Sequence, residues 1–168
     1  NIKLVDGLAG TGKSTLFRAA REAWEKAGYN VIGIALTGKA SAELQRNTGI
    51  PSFTLALTLL QTNRPIFSVA GATLGSTSSS IFPHAPQWNR FAHLKIPRLT
   101  FGAGAVGGVT VDEKTIVVLD EASMVGTRQL NDLVFRLTAA RAKLVLSGDS
   151  KQLGAIEAGA PYKSLGER

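Results

Sequence analysis

Residues 7–14 read Gly-Leu-Ala-Gly-Thr-Gly-Lys-Ser, a G-x-x-x-x-G-K-[ST] pattern whose side-chain types suit polyphosphate chemistry. Glycines at this spacing let consecutive backbone N–H groups curl around phosphate oxygens. A helix that starts there adds the partial positive charge of its N-terminus. Gly7, Ala9, Gly10, Thr11 and Gly12 would form the cradle. Lys13 would reach the β- and γ-phosphates as a point charge, and the Ser14 hydroxyl would ligate Mg²⁺. Thr15 is a further candidate contact, in a position that also supports the first helical turn. An apolar run, Ile2 to Val5, precedes the glycines and a helix-spaced run follows them, the setting this pattern requires. The bland alternative is a Gly-rich strand-to-helix turn with a chance lysine.

A second candidate is Asp120-Glu121, directly after the apolar run Ile116 to Leu119. Strand ends are where ligands bind in parallel sheets. Asp120 would hold the Mg²⁺ shell, and Glu121 would orient and deprotonate an attacking water. A helix cap and its neighbour would explain the same two acids. Beside residues 7–14, however, the pair favours hydrolysis over phosphoryl transfer to a metabolite. The chain has no guanine-reading Asn-Lys-x-Asp, which favours ATP. A third candidate follows Leu144 to Leu146, where Ser147-Gly148-Asp149 is followed by Gln152. A turn accounts for the Gly and the Asp, but not for a Gln at a fixed offset.

These residues need elements to hold them. Ile2 to Val5 reads as a strand. Leu16, Ala20, Ala23, Trp24 and Ala27 recur at helical spacing, with Gly28 where a C-cap belongs. Val31 to Leu36 reads as a buried strand and Lys39 to Gln45 as a helix opened by Thr37-Gly38. A further helix is expected from Pro51-Ser52 to about Leu60. Thr115 to Leu119 and Lys143 to Leu146 are strands, with a helix marked by Leu130, Leu133, Val134 and Leu137 between them. Strands alternating with helices predict an α/β fold: a parallel sheet with helices on both faces, a three-layer sandwich.

The chain has 168 residues, enough for one domain with a full core, and no apolar run long enough for a membrane helix. It has no Cys, which excludes disulfides and Cys-based zinc sites. It begins in a strand-like run without Met or a leader pattern, as expected of a piece of a longer protein. Net charge is +7, and between Glu43 and Asp112 there is no acid while Arg46, Arg64, Arg90, Lys95 and Arg98 contribute +5. A polyanionic partner fits this balance, as does a solvated basic surface. Residues 63–113 read as a Gly/Ser/Pro-rich insertion, a mobile loop or a weak hairpin. There Trp88, Arg90, Phe91, Lys95 and Arg98 interleave aromatic and basic side chains that can stack bases and hold phosphates. A basic loop without that role is the alternative.

Three stretches together resemble a known family: Ala35-Leu36-Thr37-Gly38-Lys39-Ala40-Ser41-Ala42, Asp120-Glu121-Ala122-Ser123-Met124-Val125, and Gly148-Asp149-x-x-Gln152-Leu153 followed by Glu157-Ala158-Gly159. Their order and spacing are similar to motifs Ia, II and III of superfamily 1 helicases of the RecD branch, and closest to the helicase part of TraA/MobA-type conjugative relaxases. The resemblance covers about residues 2–62 and 114–165, and not the insertion. It implies a P-loop NTPase with the first RecA-like domain of a 5′–3′ DNA motor. Lys13, Glu121 and Gln152 would be the catalytic set, with Gln152 touching the γ-phosphate and Asp149 anchoring its loop. Thr37 and Lys39 would face single-stranded DNA, with Ser52 and Thr54 as further backbone contacts. Thr37 and Ser52 equally suit helix caps, and Lys39 a solvated position. The resemblance also implies ATP with Mg²⁺, a second RecA-like domain supplying arginine fingers, an upstream relaxase domain and a bacterial cytoplasmic setting. Without that second domain, residues 1–168 should hydrolyse ATP poorly and not unwind DNA. A relaxase nuclease is not expected here, since Tyr29, Tyr162, His84 and His93 lack suitable spacing. A P-loop kinase, a generic ATPase and a non-catalytic DNA-binding fragment are the rival readings.

Overall fold

The computed structural model describes residues 2–8, 10–61, 98–101, 108–149 and 161–166. In chain order these form β1 (Ile2–Asp6), α1 (Lys13–Lys26), β2 (Asn30–Ala35), α2 (Gly38–Thr48), β3 (Ser52–Thr54) and α3 (Leu55–Gln61). Then follow β4 (Arg98–Phe101), β5 (Gly108–Val111), β6 (Thr115–Leu119), a 3₁₀ turn (Ala122–Met124), α4 (Thr127–Ala139), β7 (Lys143–Gly148) and α5 (Pro161–Gly166).

Five strands make one sheet in the order β1-β7-β6-β2-β3, and every pairing is parallel. All carboxyl ends therefore lie on one edge. The central strand β6 is buried at every position, as a strand covered on both faces is, whereas the edge strand β1 carries Lys3 and Asp6 and is partly exposed. Side chains alternate between faces. Ile32, Ile34, Val117, Leu119, Leu144 and Leu146 pack with Leu55 of α3 and with Leu130, Leu133 and Leu137 of α4. Val31, Ile116, Val118 and Val145 pack with Phe17 of α1 and with Ile50. The expected three-layer α/β architecture is thus borne out.

Two local expectations are corrected. No helix starts at Pro51-Ser52. Ser52 pairs with Gly33 as the first residue of β3, and α3 starts at Leu55. The cap is Thr54, whose hydroxyl accepts from the Leu57 N–H at 3.2 Å, while the Ser52 hydroxyl donates to the Ile50 carbonyl at 2.8 Å. Within residues 63–113, read as an insertion, a loop or a weak hairpin, the described strands β4 and β5 do not form a hairpin. β4 and β5 pair in parallel, with Arg98 opposite Gly108 and Phe101 opposite Val111. Val111 is buried in the core, and the Asp112 carboxylate closes the turn into β6 by accepting from Lys114 N–H and Thr115 Oγ1, each at 2.9 Å.

Candidate functional site

The sheet order decides where the candidate residues meet. β1, β7 and β6 are neighbours, and their carboxyl ends lead into residues 7–14, into Gly148-Asp149 and into Asp120-Glu121. The Gly7 N–H donates to the Gly148 carbonyl at 3.1 Å, which ties the glycine turn to the end of β7. Between these ends lies a cleft of about 350 Å³, lined by Leu8, Gly10, Gly12, Lys13, Ser14, Asp120, Glu121, Ser123, Gly148 and Asp149.

The glycine turn is shaped by backbone conformation. Gly10 and Gly12 have φ of 78° and 87°, and an added Cβ at either would meet nothing within 4 Å. The requirement there is the left-handed backbone that only glycine adopts readily. At Gly7 the constraint is steric, since a Cβ would stand 2.9 Å from Thr11 Oγ1. Thr11 Oγ1 donates to the Leu8 carbonyl at 2.7 Å and closes the turn. The Lys13 ammonium donates to the Gly7 carbonyl and, at 3.0 Å, to the Leu8 carbonyl, so its charge sits inside the turn at the N-terminus of α1.

On the facing wall, the Asp120 carboxylate accepts from Ser147 Oγ at 2.9 Å and from the Glu121 N–H at 3.0 Å. These bonds fix its orientation. Glu121 follows with φ of 55°, a left-handed conformation uncommon outside glycine. Burial raises the Glu121 pKa first, then the Asp120 charge, then the Glu43 charge on α2. A glutamate pushed up in this way is a better proton acceptor near neutral pH than an ordinary carboxylate. Ser14 and Asp120 supply hard oxygen donors from opposite walls, a donor set that suits Mg²⁺ shared with phosphates. Among the described residues, no three His, Cys, Asp or Glu side chains converge to hold a metal without such a ligand.

The structure thus brings together Gly10, Gly12, Lys13, Ser14, Asp120, Glu121 and Asp149. Gly7, Thr11 and Thr15 belong to the same turn and helix start but do not line the cleft. Ala9 and Gln152 lie outside the described residues, as do Trp88, Arg90, Phe91 and Lys95. The candidate nucleic-acid contacts sit on the same edge, one strand further along. Thr37 ends the β2 connection and caps α2, its hydroxyl accepting from the Ala40 N–H at 3.1 Å. Lys39 is exposed in the first turn of α2, and Ser52 and Thr54 lie half-buried on β3. The Asp120 N–H donates to the Ile34 carbonyl at 2.9 Å, so the acidic turn is bonded directly to β2.

Sequence reasoning missed Leu8, Ser123 and Gly148 as lining residues, and Ser147 as the partner of Asp120. Gly148 has a signal: a Cβ there would come within 2.8 Å of Tyr162 Cζ and 3.1 Å of the Ser123 nitrogen. A glycine at the end of an apolar strand marks such a close approach.

The AAA domain family matches the chain over residues 1–168. The probable conjugal transfer protein TraA of Sinorhizobium fredii (strain NBRC 101917 / NGR234) is 40% identical over 167 residues, covering 99% of this chain and 11% of the relative. The conjugal transfer protein TraA of Agrobacterium fabrum (strain C58 / ATCC 33970) is 38% identical over 167 residues, with the same coverage of 99% and 11%. The multifunctional conjugation protein TraI of Escherichia coli (strain K12) is 28% identical over 165 residues, 95% of this chain and 7% of the relative. The chain spans about a tenth of the length of the TraA relatives it matches. These matches bear out the resemblance read from the motifs. They also correct its extent, because a similarity over 99% of the chain runs through residues 63–113 as well.

Proposed function

The chain belongs to the AAA domain family, and from that premise we propose that it is the ATP-binding and ATP-hydrolysing motor domain of a 5′–3′ single-stranded DNA helicase within a larger conjugative relaxase. The observation that carries this reading is the shared cleft. The glycine turn with Lys13 forms one wall, and Asp120 and Glu121 form the other. The names of the TraA and TraI relatives support the conjugative setting.

The chemistry follows from the two walls. Backbone N–H groups at Gly10 and Gly12, with the α1 N-terminus, hold the phosphate chain. Lys13 exchanges the Gly7 and Leu8 carbonyls for phosphate oxygens. Ser14 and Asp120 would hold Mg²⁺, which would supply charge neutralisation for the phosphate chain. Glu121 orients the attacking water and takes its proton as the bond to the γ-phosphorus forms and the bond from that phosphorus to the bridging oxygen of the departing ADP breaks. Asp149 anchors the loop that carries Gln152, which reports the γ-phosphate. Lys39 and Thr37 on α2, with Ser52 and Thr54 on β3, contact the DNA backbone. A second RecA-like domain in the longer protein supplies arginine fingers and the other face of the cleft.

No helix among the described residues is long and apolar enough to cross a membrane.

ATPase activity of the full-length protein, measured with and without single-stranded DNA, tests the reading. DNA should stimulate hydrolysis, and Lys13→Ala should abolish it. Hydrolysis indifferent to DNA would remove the motor reading and leave a generic ATPase.

A further inference from the structure

Ser123 is 7% exposed, and its hydroxyl has no hydrogen-bond partner among the described residues, yet the residue lines the cleft. Buried hydroxyls normally find a partner, and an unsatisfied one costs stability. The turn that carries Ser123 is firmly held. Met124 N–H donates to the Glu121 carbonyl at 2.9 Å, and Val125 N–H to the Ala122 carbonyl at 3.2 Å. Ala122 and Val125 are fully buried in the core on either side of it. The backbone of Ser123 abuts Gly148, where no Cβ fits. The hydroxyl therefore cannot turn elsewhere for a partner by moving its backbone. Ser123 lies on the acidic wall of the cleft, two residues beyond Glu121, with its hydroxyl buried.

We propose that the Ser123 hydroxyl is a ligand for the γ-phosphate of the bound nucleoside triphosphate, and that it makes the cleft favour triphosphate over diphosphate. The glycine turn and Ser14 take the inner phosphates and the metal side. The wall that bears Glu121 meets the end of the phosphate chain, where the two nucleotides differ. A serine hydroxyl can donate to a phosphate oxygen while accepting from the neighbouring water. The inference rests on the nucleotide-binding reading above and deepens it.

Calorimetric titration of wild type and Ser123→Ala with Mg-ADP and with Mg-AMP-PNP, a non-hydrolysed triphosphate, tests it. One hydrogen bond to a charged phosphate corresponds to about a tenfold change in affinity. Ser123→Ala should bind the triphosphate about tenfold more weakly and ADP within about twofold of wild type. Because the hydroxyl has no partner among the described residues, nucleotide-free Ser123→Ala should melt at the wild-type temperature or above it. Equal losses for both nucleotides, or no loss for either, would overturn the proposal. So would a nucleotide-free variant that melts several degrees lower, since the hydroxyl would then serve the fold. Wild type that binds neither nucleotide would overturn the underlying reading and this inference with it. Wild type that binds both while Ser123→Ala is unchanged would overturn this inference alone.

Discussion

The Tyr162 hydroxyl donates to the Val5 carbonyl at 3.0 Å, joining α5 to the strand that leads into the glycine turn. It also lies 3.4 Å from Asp6 Oδ1, and its ring fills the space that a side chain at Gly148 would need. One buried side chain thus braces the ends of β1 and β7, which carry two parts of the cleft. Tyr162→Phe removes the hydrogen bond and keeps the ring. It should cost about 1 kcal/mol and lower the melting temperature by about 2–4 °C. The Tyr162 pKa is pushed up to about 12, by burial first and then by Asp6. A phenol raised in the folded state contributes stability that is present below pH 10 and lost as pH rises toward about 12. The Phe variant should therefore lose less stability than wild type across that alkaline window, as read by denaturant melts at stepped pH.

Glu121 predicts a pH effect at the acid end. Its pKa is raised by burial, by Asp120 and by Glu43. The folded protein therefore holds this proton to a higher pH than the unfolded chain does. Stability falls as pH rises from the unfolded pKa, about 4.3, through the raised folded value, and the cost is constant above it. Glu121→Gln removes the cost. The variant should be more stable than wild type at neutral pH, and the gain should vanish near pH 4. In the full-length protein the same change should cut ATP hydrolysis by about 10²–10⁴-fold. A gain in stability that persists at pH 4 would show that another effect of the substitution is at work.

Gly33 lies on β2 opposite Ser52. A Cβ at Gly33 would collide with the Ser52 hydroxyl and come within 2.8 Å of Leu44 Cδ2 on α2. Gly33→Ala should destabilise by about 1–3 kcal/mol, as overpacking does. Adding Ser52→Ala should recover part of that loss, because the first clash is with Ser52 Oγ. A double-mutant cycle by chemical denaturation measures the coupling. Strict additivity would place the strain on Leu44 instead.

The architecture was legible because both faces of the sheet are covered. Runs such as Ile116 to Leu119 are apolar at every position, and each is followed by a residue type that chemistry needs. Gly7 to Ser14, Asp120 and Glu121 could be placed on one edge before any coordinates, since parallel strands share their carboxyl ends. What escaped depends on neighbours distant in sequence. Ser147 orients Asp120 only because β6 and β7 are adjacent. Ser before an apolar run is a common helix start, so the local sequence at Ser52 suggests a cap as readily as a DNA contact. Its pairing with Gly33 outweighs that local preference, and the cap moves to Thr54. Ser123 gave no periodic signal, because its meaning lies in a missing partner, which a sequence does not display.

Thr37 and Lys39, two residues apart, differ in what the fold asks of them. The Thr37 hydroxyl accepts from the Ala40 N–H, whereas Lys39 projects from an exposed position one turn ahead of Glu43. Thr37→Ala removes a helix cap and should cost about 1 kcal/mol of stability. Lys39→Ala removes an exposed charge and should leave the melting temperature close to wild type. If Lys39 holds a DNA phosphate, its loss weakens single-stranded DNA binding regardless of base sequence. It should also reduce the slope of log affinity against log salt by about 0.7, the value for one phosphate on a single strand. Fluorescence titrations of the full-length protein with oligonucleotides at stepped salt supply both quantities. An unchanged slope would remove Lys39 from the DNA contact.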